Sequence, residues 1–396
     1  MSILSRPRLL LLALLAVGLY HFAGPRISLF APVELAQGDV GGGGGGGDHS
    51  TGSLGAAKAL KDGRRTISKR TVAVADLHGD LEHALNVFRM ASLVSSTSES
   101  WIAGHDTLVS TGDIVDRGDD TIKLYRLFRS LRMQSKQAGG EVRNLVGNHE
   151  VMNALGDWRY VTKGDIESFG GAAARRTAMS TQGWIGQEWL RDYNVTTTVP
   201  LLPPDHPGLP KGYTPPSASF VHGGITPAYA ERGIDEINRI AKSLLRKGLD
   251  EERPSGWLPP DTTPEEQAVW SESGPLWYRG YATEDEPEAC RIAEKATSAL
   301  GVRHLVMGHT PHFDGFVMRC PSAEILLIDT GISRAYGGEQ SALVIDFELV
   351  PLPSSKQDGD RGHGKQELWR ETETLSALYR GRKPKVLKRL ERDLWL

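Results

Sequence analysis

The chain has 396 residues, which is long enough for one large domain or two to three smaller ones with a sizeable core. Its 39% hydrophobic and 24% charged residues exclude a wholly disordered or fibrous chain. The 46 basic and 49 acidic residues give a net charge of −3, so no nucleic-acid partner is expected. Only Cys290 and Cys320 are present, which excludes a cysteine-rich scaffold and leaves open whether the two cysteines pair.

The N-terminus carries the one long apolar run of the sequence. Arg6 and Arg8 precede apolar residues 9–22, as in a secretory signal or signal anchor. Because no A-x-A cleavage site is evident, an uncleaved anchor over residues 1–30 is favoured over a removed signal peptide. The basic residues before the run then place the body of the protein in the secretory pathway, membrane-anchored or lumenal. A mitochondrial presequence is the alternative.

Two further stretches are predicted to lie outside the main domain. Residues 31–65 contain seven consecutive glycines at 41–47 and are interpreted as a flexible tether. Residues 351–396 are interpreted as a C-terminal extension with a basic, solvated tail, since seven of the thirteen residues at 380–392 are Lys or Arg. The folded domain is therefore expected over residues 66–350.

Within this domain, short apolar runs alternate with helical patterns, which indicates a layered α/β domain. The predicted strands are residues 71–75, 107–111, 142–146, 219–221, 304–307, 325–328 and 342–347, and the predicted helices are 81–93, 121–137 and 286–300. Residues 151–216 differ, with three tryptophans followed by a proline-rich loop. They are interpreted as a helical insertion that caps or walls a site.

Polar residues follow five of the predicted strands at the point where each strand ends. The five segments are DLHGD from Asp76, GDIVDRG from Gly112, GNHE from Gly147, HGG from His222 and GH from Gly308. Ligand sites of open α/β sheets lie at the carboxyl ends of the strands. Each segment alone would be an ordinary turn or cap, but five in register at one sheet edge predict a site.

The carboxylate, amide and imidazole groups of these segments suit divalent Mn, Fe or Zn, with the identity left open. Two ions are expected, bridged by Asp113, whose strand is flanked by donors on both sides. Asp76 and His78 would complete one ion. The other would be completed by Asn148, His222 and His309.

The ordered set resembles the calcineurin-like metallophosphoesterase superfamily, and GDIVDRG and GNHE resemble its phosphoprotein phosphatase branch. The run IDTGIS from Ile328, followed by AYGG from Ala335, is similar to the Shewanella-like protein phosphatases. The resemblance covers residues 71–347. It implies an α/β fold with a β-sandwich flanked by helices in α/β/β/α layers and carrying the helical insertion. Ala75 departs from the pattern, because it replaces the first glycine of GDxHG.

The resemblance implies a binuclear phosphoric monoester hydrolase in which a metal-bridging hydroxide attacks phosphorus in line. Arg117 and, between the two histidine motifs, Arg279 are expected to bind the phosphate. His149 is expected to protonate the leaving oxygen as general acid, and Asp116 to orient it. The catalytic set is therefore His149, Asp116, Arg117 and Arg279.

The expected substrate is a phosphoprotein or phosphopeptide carrying phosphotyrosine, phosphoserine or phosphothreonine, with the preference left open. One alternative is a dinucleoside polyphosphate hydrolase of the same superfamily. A less favoured alternative is a catalytically inactive metal-binding scaffold, because every expected ligand and catalytic residue is present. The sequence leaves the oligomeric state open, and membrane association depends on whether the N-terminal segment is retained.

Overall fold

A computed structural model describes residues 66–250, 258–353 and 367–396. The predicted signal or anchor over 1–30 and the predicted tether over 31–65 lie outside the described residues. Among the residues that are described, no helix is long and apolar enough to cross a bilayer.

The first sheet has seven strands in the order β12-β11-β10-β1-β2-β3-β4. Strands β1 to β4 run parallel to one another, and β10, β11 and β12 extend the sheet from β1 in antiparallel pairs. Their bounds are β1 Ile67–Val74, β2 Thr107–Ser110, β3 Glu141–Leu145, β4 Tyr193–Asn194, β10 Ser341–Pro351, β11 Leu368–Tyr379 and β12 Lys385–Trp395.

The second sheet has five strands in the order β5-β6-β7-β9-β8. Strands β6, β7 and β9 are parallel, and β5 and β8 are antiparallel to their neighbours. The bounds are β5 Thr196–Pro200, β6 Ser217–Val221, β7 His304–Met307, β8 Val317–Arg319 and β9 Ile325–Leu327. The parallel strands of each sheet therefore end at a common edge.

Eleven helices connect the strands in the part of the chain that the structure describes. They are α1 Leu81–Met90, α2 Thr121–Gln137, α3 Asn148–Ala154, α4 Lys163–Ser168, α5 Ala172–Ala178, α6 Trp184–Asp192, α7 Pro227–Ala230, α8 Ile234–Gly248, α9 Pro264–Trp270, α10 Gly280–Thr283 and α11 Glu286–Leu300. Side-chain caps fix several starts. For example, the Asp285 carboxylate accepts a hydrogen bond from the Glu288 N–H at the start of α11 (2.9 Å).

Two apolar clusters hold the layers together, and the alternation of side chains along β1 shows how. Ala73 and Ala75 pack in a cluster that also contains Phe220 of β6 and Val306 of β7, so this cluster lies between the two sheets. Val72 and Val74 point to the opposite face and pack in the cluster that contains the helices. The predicted α/β/β/α sandwich is confirmed.

The structure differs from the sequence prediction in two regions. The stretch 151–216, predicted as a helical insertion with a loop, contains α4, α5 and α6 but also strands β4 and β5. The predicted C-terminal extension from residue 351 is corrected, because β11 and β12 continue the first sheet through ladders from β10. The basic residues at 380–392 therefore belong to the hairpin that joins β11 to the edge strand β12, where outward charged side chains remain solvated.

Cys290 of α11 and Cys320, which follows β8, form a disulfide in the structure. The sequence had left this pairing open. The bond ties a helix to the end of the second sheet.

Candidate metal centre and active site

The segments that follow the parallel strands converge at one edge of the sandwich. Asp76 and His78 follow β1, Asp113, Asp116 and Arg117 follow β2, and Asn148 and His149 begin α3 directly after β3. His222 follows β6 and His309 follows β7 in the second sheet. Each of the side chains considered as a metal ligand is buried.

The Asp113 carboxylate is common to two groups of potential ligands. One group joins it to His78 and His149, the other joins it to His222 and His309, and within each group the ligand atoms lie within 4.8 Å of one another. Asp113 Oδ2 is 3.7 Å from His78 Nε2 and 3.3 Å from His222 Nε2. Asp113 is therefore the carboxylate that the two groups of potential ligands share.

The other two proposed ligands lie beside these groups. Asn148 Oδ1 is 2.8 Å from His222 Nε2, which is itself 3.1 Å from His309 Nδ1. The Asp76 carboxylate accepts the backbone N–H of His309 (3.2 Å). In the described residues Asp76 belongs to neither group, and His149 stands next to His78 and Asp113 instead.

The hydrogen-bond partners of the histidine rings leave ring nitrogens that could bind a metal ion. Nδ1 of His78 donates to the Val115 carbonyl (2.9 Å) and Nδ1 of His222 donates to the Thr111 carbonyl (3.0 Å). In the neutral imidazoles this leaves the Nε2 lone pairs facing Asp113 and Asn148 oxygens. Nε2 of His309 is buried without a hydrogen-bond partner. A cation at this position, either a metal ion or the proton of a charged imidazole, relieves the repulsion between these lone pairs.

The pKa directions of the histidines agree with a cation at this position. Burial lowers the pKa of His78 to about 3, so its ring is neutral and available as a ligand. Burial also lowers the pKa of His222, but the Asp113 and Asp76 carboxylates outweigh it and raise the pKa to about 9. Without a metal, a proton at this point balances the buried carboxylates.

His149, the predicted general acid, and Asp116, predicted to orient it, form a buried pair next to this centre, here named the general-acid pair. His149 Nδ1 donates to Asp116 Oδ2 at 2.6 Å, and its Nε2 lies 3.8 Å from Asp113 Oδ2. Burial alone would lower the pKa of His149, but Asp113 and the bond to Asp116 raise it above its usual value. The His149 ring is thus held with Nδ1 bonded to Asp116 and with Nε2 directed toward the proposed metal ligand Asp113.

The two predicted phosphate-binding arginines are held differently. The Arg117 guanidinium stands between the rings of Tyr160 and Tyr336, at 4.4 and 4.7 Å from their centroids, and its Nε is buried without a partner. Arg279 lies at the start of α10 and its Nη1 donates to the His309 carbonyl (2.9 Å) and to Thr310 Oγ1 (2.9 Å). Both arginines therefore border the centre.

Backbone strain is concentrated at this site. Eight non-glycine residues in the described part of the chain have positive φ, and five of them are proposed site residues. These five are His78, Asp113, Asp116, Arg117 and His309. Such conformations cost about 1–3 kcal/mol each and persist where the surrounding structure enforces them.

Sequence reasoning missed two buried carboxylates that support the ligands. Glu150 accepts the backbone N–H groups of Asp113 (2.9 Å) and Gly147 (2.6 Å), so it joins the loops after β2 and β3. Burial raises the pKa of Asp329 to about 6, and the charge of Asp329 adds to burial in raising the pKa of Asp76. The sequence contained a signal for each, since Glu150 ends GNHE and Asp329 follows β9 as Asp76 follows β1.

Ala75, the departure from the glycine pattern, is fully buried between the two sheets. Its methyl group packs with the apolar cluster. The replacement is therefore accommodated by the core next to Asp76.

Comparison with known proteins shows which family the chain belongs to. The sequence profile of the calcineurin-like phosphoesterase family matches residues 69–313, which is more than half of the chain. The chain belongs to the calcineurin-like phosphoesterase family. This phosphoesterase is 42% identical over 276 residues to an uncharacterized protein of Schizosaccharomyces pombe, covering 69% of this chain and 76% of that protein.

Two further similarities are to proteins named as protein phosphatases. A Shewanella-like protein phosphatase 2 of Arabidopsis thaliana is 29% identical over 308 residues, covering 67% of this phosphoesterase and 72% of the relative. The solved structure of a cold-active protein tyrosine phosphatase is 26% identical with a TM-score of 0.55, covering 71% of this chain and 75% of that one. The resemblance to the Shewanella-like protein phosphatases is thereby confirmed, and the donor set supports divalent metal ions.

Proposed function

We propose that this chain is a metal-dependent phosphoprotein phosphatase that hydrolyses phosphate monoesters. One observation carries the proposal: the Asp113 carboxylate lies between two histidine-containing ligand groups, with the general-acid pair beside it. The named similarities to protein phosphatases support the same conclusion.

The proposed ligands are Asp76, His78 and Asp113 for one ion and Asp113, Asn148, His222 and His309 for the other. Bound divalent ions supply Lewis-acid charge and lower the pKa of coordinated water. Nitrogen and oxygen donors without a thiolate favour Mn, Fe or Zn. The shared position of Asp113 supports two ions, and a titration of metal content would count them.

The remaining site residues have roles that follow from their donors. Arg117 presents a planar fork that suits two phosphate oxygens, and stacking between Tyr160 and Tyr336 limits its rotation. Arg279 adds a second positive charge from the start of α10, where its Nη1 donates to Thr310 Oγ1. His149 donates a proton from Nε2 to the leaving oxygen, while Asp116 holds Nδ1 and stabilises the charged ring.

The choice between phosphotyrosine and phosphoserine or phosphothreonine belongs to this proposal. Tyr160 from the 151–216 stretch lies 5.0 Å from the His149 ring, centroid to centroid, and its side chain is 37% exposed. The stretch therefore contributes an aromatic wall beside the general acid. This wall suits an aromatic leaving group, and the name of the tyrosine phosphatase neighbour points the same way.

A substrate panel tests the proposal. The metal-loaded full chain is assayed for phosphate release from matched phosphotyrosine, phosphoserine and phosphothreonine peptides and from a dinucleoside polyphosphate, with metal-stripped protein as control. Metal-dependent release from the peptides is expected. Turnover of the dinucleotide alone would overturn the substrate class, and no turnover by protein with bound metal would favour a scaffold.

Delivery to the secretory pathway by residues 1–30 is a further proposal, based on the apolar run after Arg6 and Arg8. The disulfide between Cys290 and Cys320 supports it, because disulfides persist in oxidising compartments. Fractionation of cells that express the full chain would test it. Recovery in mitochondria would favour the alternative presequence.

A further inference from the structure

A fully buried arginine lies behind the general-acid pair. Arg175 of α5 has no exposed side-chain surface. Its Nε donates to Asp165 Oδ2 (2.7 Å) and its Nη1 donates to Asn153 Oδ1 (2.7 Å). Its Nη2 lies 3.7 Å from Asp116 Oδ1. The guanidinium thus connects the stretch between α3 and α6 to the carboxylate that holds the general acid.

Asn153 is the link between Arg175 and that carboxylate. Its Nδ2 donates to Asp116 Oδ1 (2.8 Å) and to the His149 carbonyl (2.9 Å), while its Oδ1 accepts from Arg175. A guanidinium carries only donors, so the amide oxygen alone can face it. Arg175 therefore fixes the amide with its NH₂ group toward Asp116. The reversed amide would point its oxygen at the carboxylate.

Both carboxylate oxygens of Asp116 are consequently fixed in position by neighbouring groups. Oδ1 is held by Asn153 and faces the Arg175 charge, and Oδ2 accepts from His149 Nδ1. A carboxylate with both oxygens held has one orientation, and the imidazole bonded to it has one ring plane. A continuous series of side-chain contacts therefore runs from Arg175 of α5 through Asn153 and Asp116 to His149, which lies beside the proposed metal ligands.

A role confined to holding the helices together would account for only part of these contacts. The Arg175 guanidinium packs on the rings of Trp158 (4.8 Å) and Phe169 (5.6 Å) and pairs with Asp165 of α4. Those contacts join α4 to α5. The bond to Asn153 and the approach to Asp116 lead out of these helices and toward the site.

We propose that Arg175 is a positioning residue for the general acid: through the amide of Asn153 it holds Asp116, and through Asp116 the ring of His149, in the orientation for proton donation. The inference rests on the proposed function, in which His149 protonates the leaving oxygen. It assigns to the 151–216 stretch a part in the chemistry in addition to the aromatic wall.

The test uses the metal-loaded full chain and aryl phosphates whose leaving groups differ in basicity. Arg175→Met removes the charge and the donors but keeps an unbranched side chain. Its matched control is Arg176→Met, because Arg176 is the next residue of α5, is exposed and packs on Trp158 at 5.1 Å. His149→Ala serves as the reference for loss of the acid.

The expected result is a loss that depends on the leaving group. With phenyl phosphate, Arg175→Met should lower kcat by about 10- to 100-fold, less than complete removal of the acid, while KM changes by less than about twofold. With 2,4-dinitrophenyl phosphate, which needs no protonation, the loss should be within about twofold. Adding Arg175→Met to His149→Ala should lower kcat no further, since both changes act on one proton transfer.

Several outcomes would overturn the inference. An equal loss of kcat with both substrates, or additive losses in the double variant, would show that Arg175 acts only on the fold. If Arg175→Met does not fold, Asn153→Leu removes the middle residue of the same series of contacts and must give the same leaving-group dependence. A wild type that hydrolyses no aryl phosphate would contradict the proposed function instead. In that case the NMR signal of the His149 Nδ1 proton, recorded in a diamagnetic metal form, tests whether Arg175 orients the ring. The signal must broaden in Arg175→Met and stay sharp in Arg176→Met.

Discussion

The Glu150 carboxylate accepts a hydrogen bond from the backbone N–H of Asp113, at 2.9 Å from Oε2 to nitrogen. Glu150 is the last residue of the GNHE motif after β3, and Asp113 is the proposed bridging ligand after β2. A side chain of one motif therefore fixes the backbone that presents the ligand of the other. This explains how a positive φ of 51° at Asp113 is maintained.

Glu150→Gln should weaken both folding and metal binding. Glu150 also accepts from the N–H groups of Ile114 (2.8 Å) and Gly147 (2.6 Å), and a glutamine would turn an NH₂ group toward some of these donors. Burial and the Asp113 charge raise the pKa of Glu150, and the backbone donors oppose that rise. We expect the free energy of unfolding to fall by about 2–4 kcal/mol in urea denaturation, and metal affinity to fall about 10- to 100-fold in calorimetric titration.

The control is Glu141→Gln, whose side chain is 45% exposed and pairs with Arg143 on the surface. Its unfolding free energy should change by less than about 0.5 kcal/mol. If the two variants were equally stable, Glu150 would have no special role in joining the loops.

His149→Ala should lower kcat most for substrates with poor leaving groups. Loss of a general acid costs about 10²- to 10⁴-fold when the leaving oxygen needs a proton, and much less with p-nitrophenolate, which leaves unprotonated. Steady-state kinetics with phosphotyrosine peptide and p-nitrophenyl phosphate measure the difference. A uniform loss would assign His149 to the ligand group in which it lies with His78 and Asp113.

The buried carboxylate of Glu373, outside the proposed metal site, should contribute to the free energy of unfolding in a way that depends on pH. Glu373 of β11 accepts from His304 Nε2 (2.7 Å) and Arg303 Nη1 (3.0 Å). Burial alone would raise the pKa of Glu373, but these hydrogen bonds outweigh it and lower the pKa below 4.5. A folded-state pKa below the unfolded value contributes stability that is present above the unfolded pKa and is lost as the pH falls through the folded one.

Glu373→Gln should therefore be less stable than wild type by about 1–3 kcal/mol at pH 7. The gap should narrow as the pH falls below 4.5, the ordinary glutamate value. Urea denaturation at a series of pH values measures it, with the exposed Glu348→Gln of β10 as control. A gap that stays constant across this range would show that the charge of Glu373 does not contribute.

The main parts of the fold and the convergence of the predicted site motifs could be predicted because these motifs follow buried strands. Asp76, Asp113 and Asn148 each come directly after a short apolar run, and parallel strands bring such positions to one edge. The apolar periodicity likewise predicted the bounds of α2 and α11. Local sequence carried this information because each motif sits within a few residues of the element that positions it.

Other features depend on distant partners and left no local signal. The edge strand β12 was interpreted as a solvated tail, since its charged residues hide the alternation that marks a half-buried strand. Nothing in the local pattern distinguishes the buried Arg175 from the exposed Arg176. The difference arises from Asp165 and Asn153, which the fold brings together from α4 and α3.

The central claim is that Asp113 joins two ligand groups into one metal-dependent catalytic site. The most direct test strips the metal from the full chain, restores it and measures both bound metal per protein and phosphate release from a phosphopeptide. Wild type and the exposed-loop control Asp205→Asn should recover metal and activity together, whereas Asp113→Asn should recover neither. An Asp113→Asn protein that retained full metal content and full activity would contradict the account.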